Sequence, residues 1–404
     1  MGNNSFRGIV FKYAHYKKIL LPLNAIVYHL LYLNPFRKNY LWVFGAWEGK
    51  KYDDNSKYLF EYVNKRYGNL IHSVWLTKSN KQVEIIRSLG YEAYKCGSIK
   101  GMKYALSAGC AIYTNGLQDF GMIPLVGGAK VVALWHGNSF KRVYNNNYTG
   151  IKRNLKDALD YFFCWTYRNV SIVTCEYSKR QHIGQFNIKD ENSVYIAGQP
   201  RNDALKIHYS KTEILGPEYE GKKLILYMPT YRHKAQSEDT IERIIRGLNE
   251  NERLNKFLQD NNTLFLIKLH PLTTPFSLML NDSFKMLGYR QIKSNQPLLT
   301  ITDYLITDYS GGFIDYSLLL KPVVFYTPDE DEFLKYSERM EKEFFELSAL
   351  YKAKTPDDLV ELLKKPSTIV AEKTNEIFED QTISGTCYSE NVCKIIFNEL
   401  RIQF

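Results

Sequence analysis

From residue 40 onward, short apolar runs alternate with stretches whose apolar positions recur at helical spacing. In the first half the runs Leu41–Ala46, Ser73–Thr77, Ala111–Thr114, Val131–Trp135, Ile172–Cys175 and Val194–Ala197 predict strands. Ser56–Tyr67 and Ile99–Ser107 predict helices between them. The pattern restarts with strands at Leu224–Met228, Leu264–Leu269, Tyr304–Thr307 and Val323–Tyr326. Strands this short, alternating with helices, predict parallel sheets covered on both faces. The polar stretch His208–Lys223, with Gly216, Pro217 and Gly221, reads as a linker. A chain of 404 residues exceeds one comfortable core, so two domains are expected. The predicted class is therefore α/β, with two Rossmann-like domains facing a cleft. Their expected bounds are 39–207 and 224–385, with a helix at 386–404. Ligands of such sheets bind beyond the carboxyl ends of the strands.

Ahead of the first strand, residues 17–38 set an apolar stretch between two basic clusters, and Pro22 and Asn24 interrupt it. The stretch is shorter than the roughly 20 residues a membrane span needs. It predicts a segment, 1–38, lying in the membrane interface, with Lys17, Lys18, Arg37 and Lys38 facing anionic headgroups. The competing reading is a core helix of the first domain. No cleavable signal peptide is expected. The net charge of +10 suits an anionic partner: a phospholipid surface or a phosphorylated substrate. Nucleic acid is not expected, because the 31 tyrosines come without an arginine-rich run or an RNA-binding aromatic signature. The cysteines Cys96, Cys110, Cys164, Cys175, Cys387 and Cys393 are widely spaced and read as thiols in a reducing compartment. No Cys and His cluster suggests a metal, and no cofactor is expected.

Five polar clusters fall at the carboxyl ends of predicted strands. Trp47-Glu48-Gly49-Lys50 and Tyr52-Asp53-Asp54-Asn55 follow the first strand, and Trp135-His136-Gly137 through Lys141 follows the fourth. Pro229-Thr230-Tyr231-Arg232, Lys268-Leu269-His270 and the turn Asp308–Gly312 follow strands of the second half. Five clusters at one topological edge mark a site. His136 either removes a proton at neutral pH or is a hydrogen-bonded structural histidine. His270 is positioned to hold a diphosphate, and Arg232 offers a planar fork for phosphate. In the turn, Asp308, Ser310, Gly311 and Gly312 open a helix whose N–H groups suit an anion, or simply cap it. Asp315, on that helix, faces either a nucleotide sugar or solvent. Lys141 and Arg142 attract a phosphorylated acceptor or are merely solvated.

At this point a resemblance becomes specific. The segments W-H-G-x-x-x-K (135–141), G-x-P-R-N-D (198–203), M-P-T-Y-R (228–232), K-L-H-P (268–271) and T-D-Y-S-G-G-x-x-D-Y (307–316) resemble the CDP-glycerol glycerophosphotransferase family. F-G-A-W-E-G-K-K-Y-D-D-N-S-K-Y (44–58) is similar to its opening segment, and the likeness runs over about residues 40–395. Gly311 stands where relatives often carry a second serine, and Asn138-Ser139 replaces a common Thr-Pro. The resemblance implies a glycosyltransferase-B-like pair of domains with the active site between them. It implies His136 as the base on the acceptor side and His270 as a second catalytic residue, with Lys141, Asp53 and Asn55 binding the acceptor. It implies that His270, Arg232, Thr230, Asp308, Ser310, Gly311, Gly312 and Asp315 hold the donor.

The expected reaction moves glycerol phosphate from CDP-glycerol to a hydroxyl of a prenyl-diphosphate-linked or polymeric acceptor and releases CMP, in synthesis of a teichoic-acid-like or capsular polymer. The enzyme is expected to sit peripherally on the cytoplasmic face of a bacterial membrane. A CDP-ribitol donor, a nucleotide-sugar glycosyltransferase of the same fold, and a non-catalytic membrane-binding protein are the competing expectations.

Overall fold

The computed structural model describes residues 25–403 apart from 139, 142–166, 233–238, 271–272, 274–275, 289–291, 293 and 337–339. The first sheet holds β1 (Lys38–Phe44), β2 (His72–Thr77), β3 (Ala93–Lys95), β4 (Ala108–Tyr113), β5 (Lys130–Ala133), β6 (Val170–Val173) and β7 (Val194–Ile196). Their spatial order is β3-β2-β1-β4-β5-β6-β7. The second sheet holds β8 (Lys223–Met228), β9 (Thr263–Ile267), β10 (Phe284–Met286), β11 (Tyr304–Thr307), β12 (Val323–Tyr326) and β13 (Lys352–Ala353), in the order β10-β9-β8-β11-β12-β13. All these strand pairs are parallel. The order reverses at β1/β4 and again at β8/β11, which opens a crevice at the carboxyl edge of each sheet.

Side chains alternate across each strand, and that alternation builds the layers. In β1, Trp42 and Phe44 point into a core shared with Phe60, Trp75 and the last helix, while Leu41 and Val43 join Val74, Leu76 and Tyr113 on the other face. The second sheet is sandwiched in the same way: Leu224 and Leu226 face Phe313 and Phe325, and Ile225 and Tyr227 face Ile241, Ile245 and Phe265.

The expected two-domain α/β architecture and C-terminal helix are present, with two corrections to the boundaries, at 208–223 and at 25–38. The stretch 208–223 is built into the second domain: it forms the helix Lys211–Ile214 and a turn at Pro217–Tyr219, and Leu215 and Tyr219 are buried in that core. The helix Tyr388–Leu400 crosses back and packs Val392, Ile396 and Phe397 on the first sheet. Residues 25–38 also belong to the first domain. Tyr28 is buried there, and the Arg37 guanidinium donates to the carbonyls of Ala105, Ala108, Leu125 and Gly127. Arg37 is thus a structural clamp, not a headgroup contact. Most of the basic-apolar segment, residues 1–24, lies outside the described residues. Among those described, no helix is long and apolar enough to cross a membrane. Cys110, Cys175 and Cys393 are buried free thiols, and Cys96 and Cys387 are partly buried; Cys164 lies outside the described residues.

Candidate active site

Beyond β5 the chain turns sharply. Trp135 adopts φ 58° and Gly137 φ 129°, a left-handed pair on either side of His136. A non-glycine residue held there costs on the order of 1–3 kcal/mol and persists only where its surroundings fix it. Asn55 supplies part of that fixing. Its Nδ2 donates to the Trp135 carbonyl at 2.9 Å, and its Oδ1 accepts the Arg201 backbone N–H at 3.1 Å. Asn55 is fully buried, so the expected acceptor contact is replaced by a staple across the loop. The Trp135 ring stacks on His136 with centroids 4.1 Å apart and is backed by His182 and Phe186. His136 has exposed surface, yet protein surrounds it densely. That desolvation lowers its pKa from the ordinary 6.5; nearby Asp54 opposes the shift and Arg201 adds to it.

The far end of this loop leaves the first domain. Phe140 is buried among Phe313, Phe344 and Phe378 of the second core, and its carbonyl accepts the Glu341 N–H at 2.7 Å. Lys141 forms an isolated antiparallel bridge with Met340. Ser139 and Arg142 lie outside the described residues.

Across the cleft, β9 delivers Lys268 and His270. The His270 ring leans over Tyr231 at 5.0 Å. Its pKa is pushed down to about 4, by burial first and then by the positive charges of Lys51, Lys141 and Lys268. Lys51 belongs to the first domain and Lys268 to the second, so both domains contribute to this electropositive cluster. Lys268 is itself held down at about 8 by burial, with Asp53 pulling the other way and Lys51 adding to the fall. Asp53 shifts upward, through burial and the like charge of Asp54, against Lys57 and Lys51. A cluster with this excess of positive charge favours an anion with several negative oxygens.

The turn after β11 is built differently from its expected role. Asp308 is fully buried: Oδ1 accepts from the Thr230 hydroxyl at 2.6 Å and the Tyr309 N–H at 2.6 Å, and Oδ2 from Arg232 at 2.9 Å. Arg232 also forks onto Asp329, with Nε and Nη2 at 2.6 and 2.9 Å from the two carboxylate oxygens. With a side chain only 4 % exposed, Arg232 is committed to two carboxylates. Burial works against its charge, but Asp308 and Asp329 outweigh burial and raise its pKa. Thr230, Asp308 and Arg232 therefore form a buried brace under the second crevice, with the Arg232 fork already engaged by two carboxylates. The Gly312 N–H is taken by Ser310 Oγ at 3.2 Å, which leaves the half-buried Ser310 and Gly311 as the parts of the turn still open to a ligand.

Asp315 is placed against the first domain. It accepts from Asn202 Nδ2 at 3.1 Å and Gln296 Nε2 at 3.3 Å, and Arg201 Nη2 stands 2.7 Å away. It is turned away from solvent. The G-x-P-R-N-D segment is accordingly a joint. Arg201 and Asn202 reach the second domain, while Asp203 caps the last helix by accepting the N–H groups of Tyr388 and Ser389 at 2.7 and 2.8 Å.

The two sheets bring their carboxyl edges, each followed by a histidine, to one cleft, and comparison with known proteins gives the family. Residues 26–398 match the model of the CDP-glycerol:poly(glycerophosphate) glycerophosphotransferases. The chain belongs to this family. It is 25% identical over 394 residues to the teichoic acid poly(glycerol phosphate) polymerase of Bacillus spizizenii, covering 93% of this chain and 94% of that protein. It is also 25% identical to that organism's teichoic acid poly(ribitol-phosphate) polymerase, covering 86% of this chain and 55% of the other. The fold matches a solved structure of the wall teichoic acid polymerase TagF with a TM-score of 0.72 at 21% identity, over 99% of this chain and 98% of that one.

In this glycerophosphotransferase His136 lies beyond β5 of the first domain and His270 beyond β9 of the second. Lys141, Asp53, Ser310 and Gly311 are half-buried. Arg232, Thr230, Asp308, Asp315 and Asn55 are internal, and Gly312 is partly so. The structure adds Arg201 and Lys51 to the site and gives Lys268 a place beside His270. A clue to Arg201 was available, a basic residue directly after Gly-x-Pro at a strand end. Among the described residues, no group of three His, Cys, Asp or Glu side chains is gathered to hold a metal.

Proposed function

We propose that the enzyme transfers glycerol phosphate from CDP-glycerol to a hydroxyl of a prenyl-diphosphate-linked or polymeric acceptor in teichoic-acid-like polymer synthesis. The acceptor oxygen attacks the phosphorus next to glycerol, the bond from that phosphorus to the CMP oxygen breaks, and CMP leaves. His136 takes the acceptor proton. His270, Lys268, Lys51 and Lys141 stabilise charge on the transferring and leaving phosphates, with no metal assigned. The observation that carries this reading is the gathering of Lys51, Lys141 and Lys268 around the half-buried His270, whose pKa is lowered by burial first and then by these three charges.

A CDP-ribitol donor is the second reading, supported by the equal identity to a glycerol phosphate and a ribitol phosphate polymerase. Incubation with CDP-glycerol, CDP-ribitol and a nucleotide sugar, each with a prenyl-linked acceptor, separates the readings by CMP or nucleotide release. Release from the nucleotide sugar alone would end both phosphotransfer readings.

Attachment to the cytoplasmic membrane surface is peripheral in this proposal. Ile26, Leu30, Leu33 and Phe36 support it, because these large apolar side chains are 53, 62, 82 and 75% exposed next to the basic-apolar leader.

A further inference from the structure

Arg201 lies in the short 3-10 helix Pro200–Lys206 after β7. Its Nη1 donates to Asp54 Oδ1 at 2.8 Å and to the His136 carbonyl at 2.8 Å, and its Nη2 meets Asp315 Oδ2 at 2.7 Å. Asp54 opens a helix of the first domain, and Asp315 sits on a helix of the second. The Arg201 side chain is 13% exposed and the two carboxylates 6% each, so these pairs are shielded from water. The guanidinium also occupies the space beside Gly137: a Cβ there would fall 2.5 Å from Nη2. Arg201 therefore touches the strained turn at both the His136 carbonyl and the glycine that follows.

We propose that Arg201 is a positioning residue: by holding the His136 carbonyl it sets where the imidazole stands, and it does so fully only when Asp54 and Asp315 close on it from the two domains. The planar fork is what permits this, since one nitrogen serves Asp54 and His136 together while the other reaches the second domain. A lysine ammonium does not satisfy three acceptors in that plane. Docking of the second domain then aligns the base, so proton removal is tied to the closed enzyme. This rests on the reading of His136 as the base.

The test is a double-mutant cycle on the full chain, with CMP release from CDP-glycerol measured by steady-state kinetics and CDP binding by calorimetry. Arg201→Lys and, separately, the isosteric Asp315→Asn are each combined with His136→Ala. In the wild-type background each should lower kcat by about 10–100-fold, the scale on which a misplaced catalytic group acts. CDP affinity should stay unchanged. In the His136→Ala background neither should lower the residual rate further, because the group they position is gone. An equal fold-loss in both backgrounds would make Arg201 merely structural and overturn the proposal. Weakened CDP binding in Asp315→Asn would overturn it too, by making Asp315 a donor ligand. Should Arg201→Lys fail to fold, Asp315→Asn decides alone. Wild-type turnover by His136→Ala itself would instead remove the base reading, a failure visible before any cycle is built.

Discussion

Phe140 sets its ring edge-on against Phe378 at 4.9 Å, which carries the loop that begins at the first sheet into the core of the second domain. His136 stands between these two anchorages. A loop fixed at both ends transmits any relative movement of the domains to the residue in its middle.

Phe140→Ala should therefore act on two observables at once. Loss of a buried phenyl ring should cost about 3–5 kcal/mol in chemical denaturation. The slackened loop should also lower kcat while CDP affinity is kept. Lost stability with an unchanged kcat would show that the anchorage does not reach His136.

Arg232 should behave as a brace and not as a donor ligand. Arg232→Ala strands Asp308 and Asp329 as buried, unpaired carboxylates, a defect worth about 3–5 kcal/mol. The expected result is a marked fall in the denaturation midpoint. A variant of wild-type stability that binds CDP weakly would return Arg232 to the donor site.

The lysine cluster makes a proton-linked prediction for donor binding. Free His270 titrates at about 4 and Lys268 at about 8, both depressed by burial and neighbouring positive charge. A bound diphosphate favours the protonated forms and raises both values, so binding takes up protons. Uptake should appear on the acidic side between pH 4 and the pKa of His270 in the complex. It should appear again on the alkaline side, above pH 8. Calorimetry of CDP binding in buffers of different ionisation enthalpy measures it directly. His270→Gln should abolish the acidic uptake alone, and no uptake in the wild type at either pH would place the phosphates elsewhere.

The central strands and the sheet edge that carries the site were legible because each is local: an apolar run followed by a polar cluster. The edge strands β3, β10 and β13 were not, being two or three residues long with too little periodicity to register. Site residues divided in a related way. His136 and His270 were legible from strand ends. The task of Arg232 depends on Asp329, and that of Asp315 on Arg201, partners 97 and more than 100 residues away. A phosphate-binding arginine and one buried between carboxylates look alike until the fold supplies the partners. Arg37 misled for the same reason, its acceptors being carbonyls remote in the chain.

That clamp sharpens the membrane prediction. Deleting residues 1–24 should weaken binding to anionic vesicles and leave the thermal unfolding midpoint unchanged. Deleting through residue 38 removes Tyr28 and the four carbonyl contacts of Arg37 and should destabilise the first domain as well. High salt should weaken the charged part of attachment and leave the apolar part. Vesicle binding that survives the shorter deletion at full strength would assign attachment to some other surface.

His136 carries the sharpest kinetic prediction. Its pKa lies below 6.5, so the imidazole is neutral at pH 7 and available as a base. The value of kcat/KM, which reports the ligand-free enzyme, should fall on the acidic side as His136 is protonated, and on the alkaline side as Lys268 loses its charge near 8. Lys268→Arg, which keeps its charge, should extend the plateau to higher pH. His136→Ala should lower kcat by about 10²–10⁴-fold and remove the acidic limb while the alkaline one stays. If that variant keeps a near-normal kcat, the base must be another group near the end of β1. Asp53 is the first alternative, because burial and Asp54 have already raised its pKa toward the useful range. Glu48 is the second and the weaker, since its carboxylate is already paired with Lys50 at 2.5 Å.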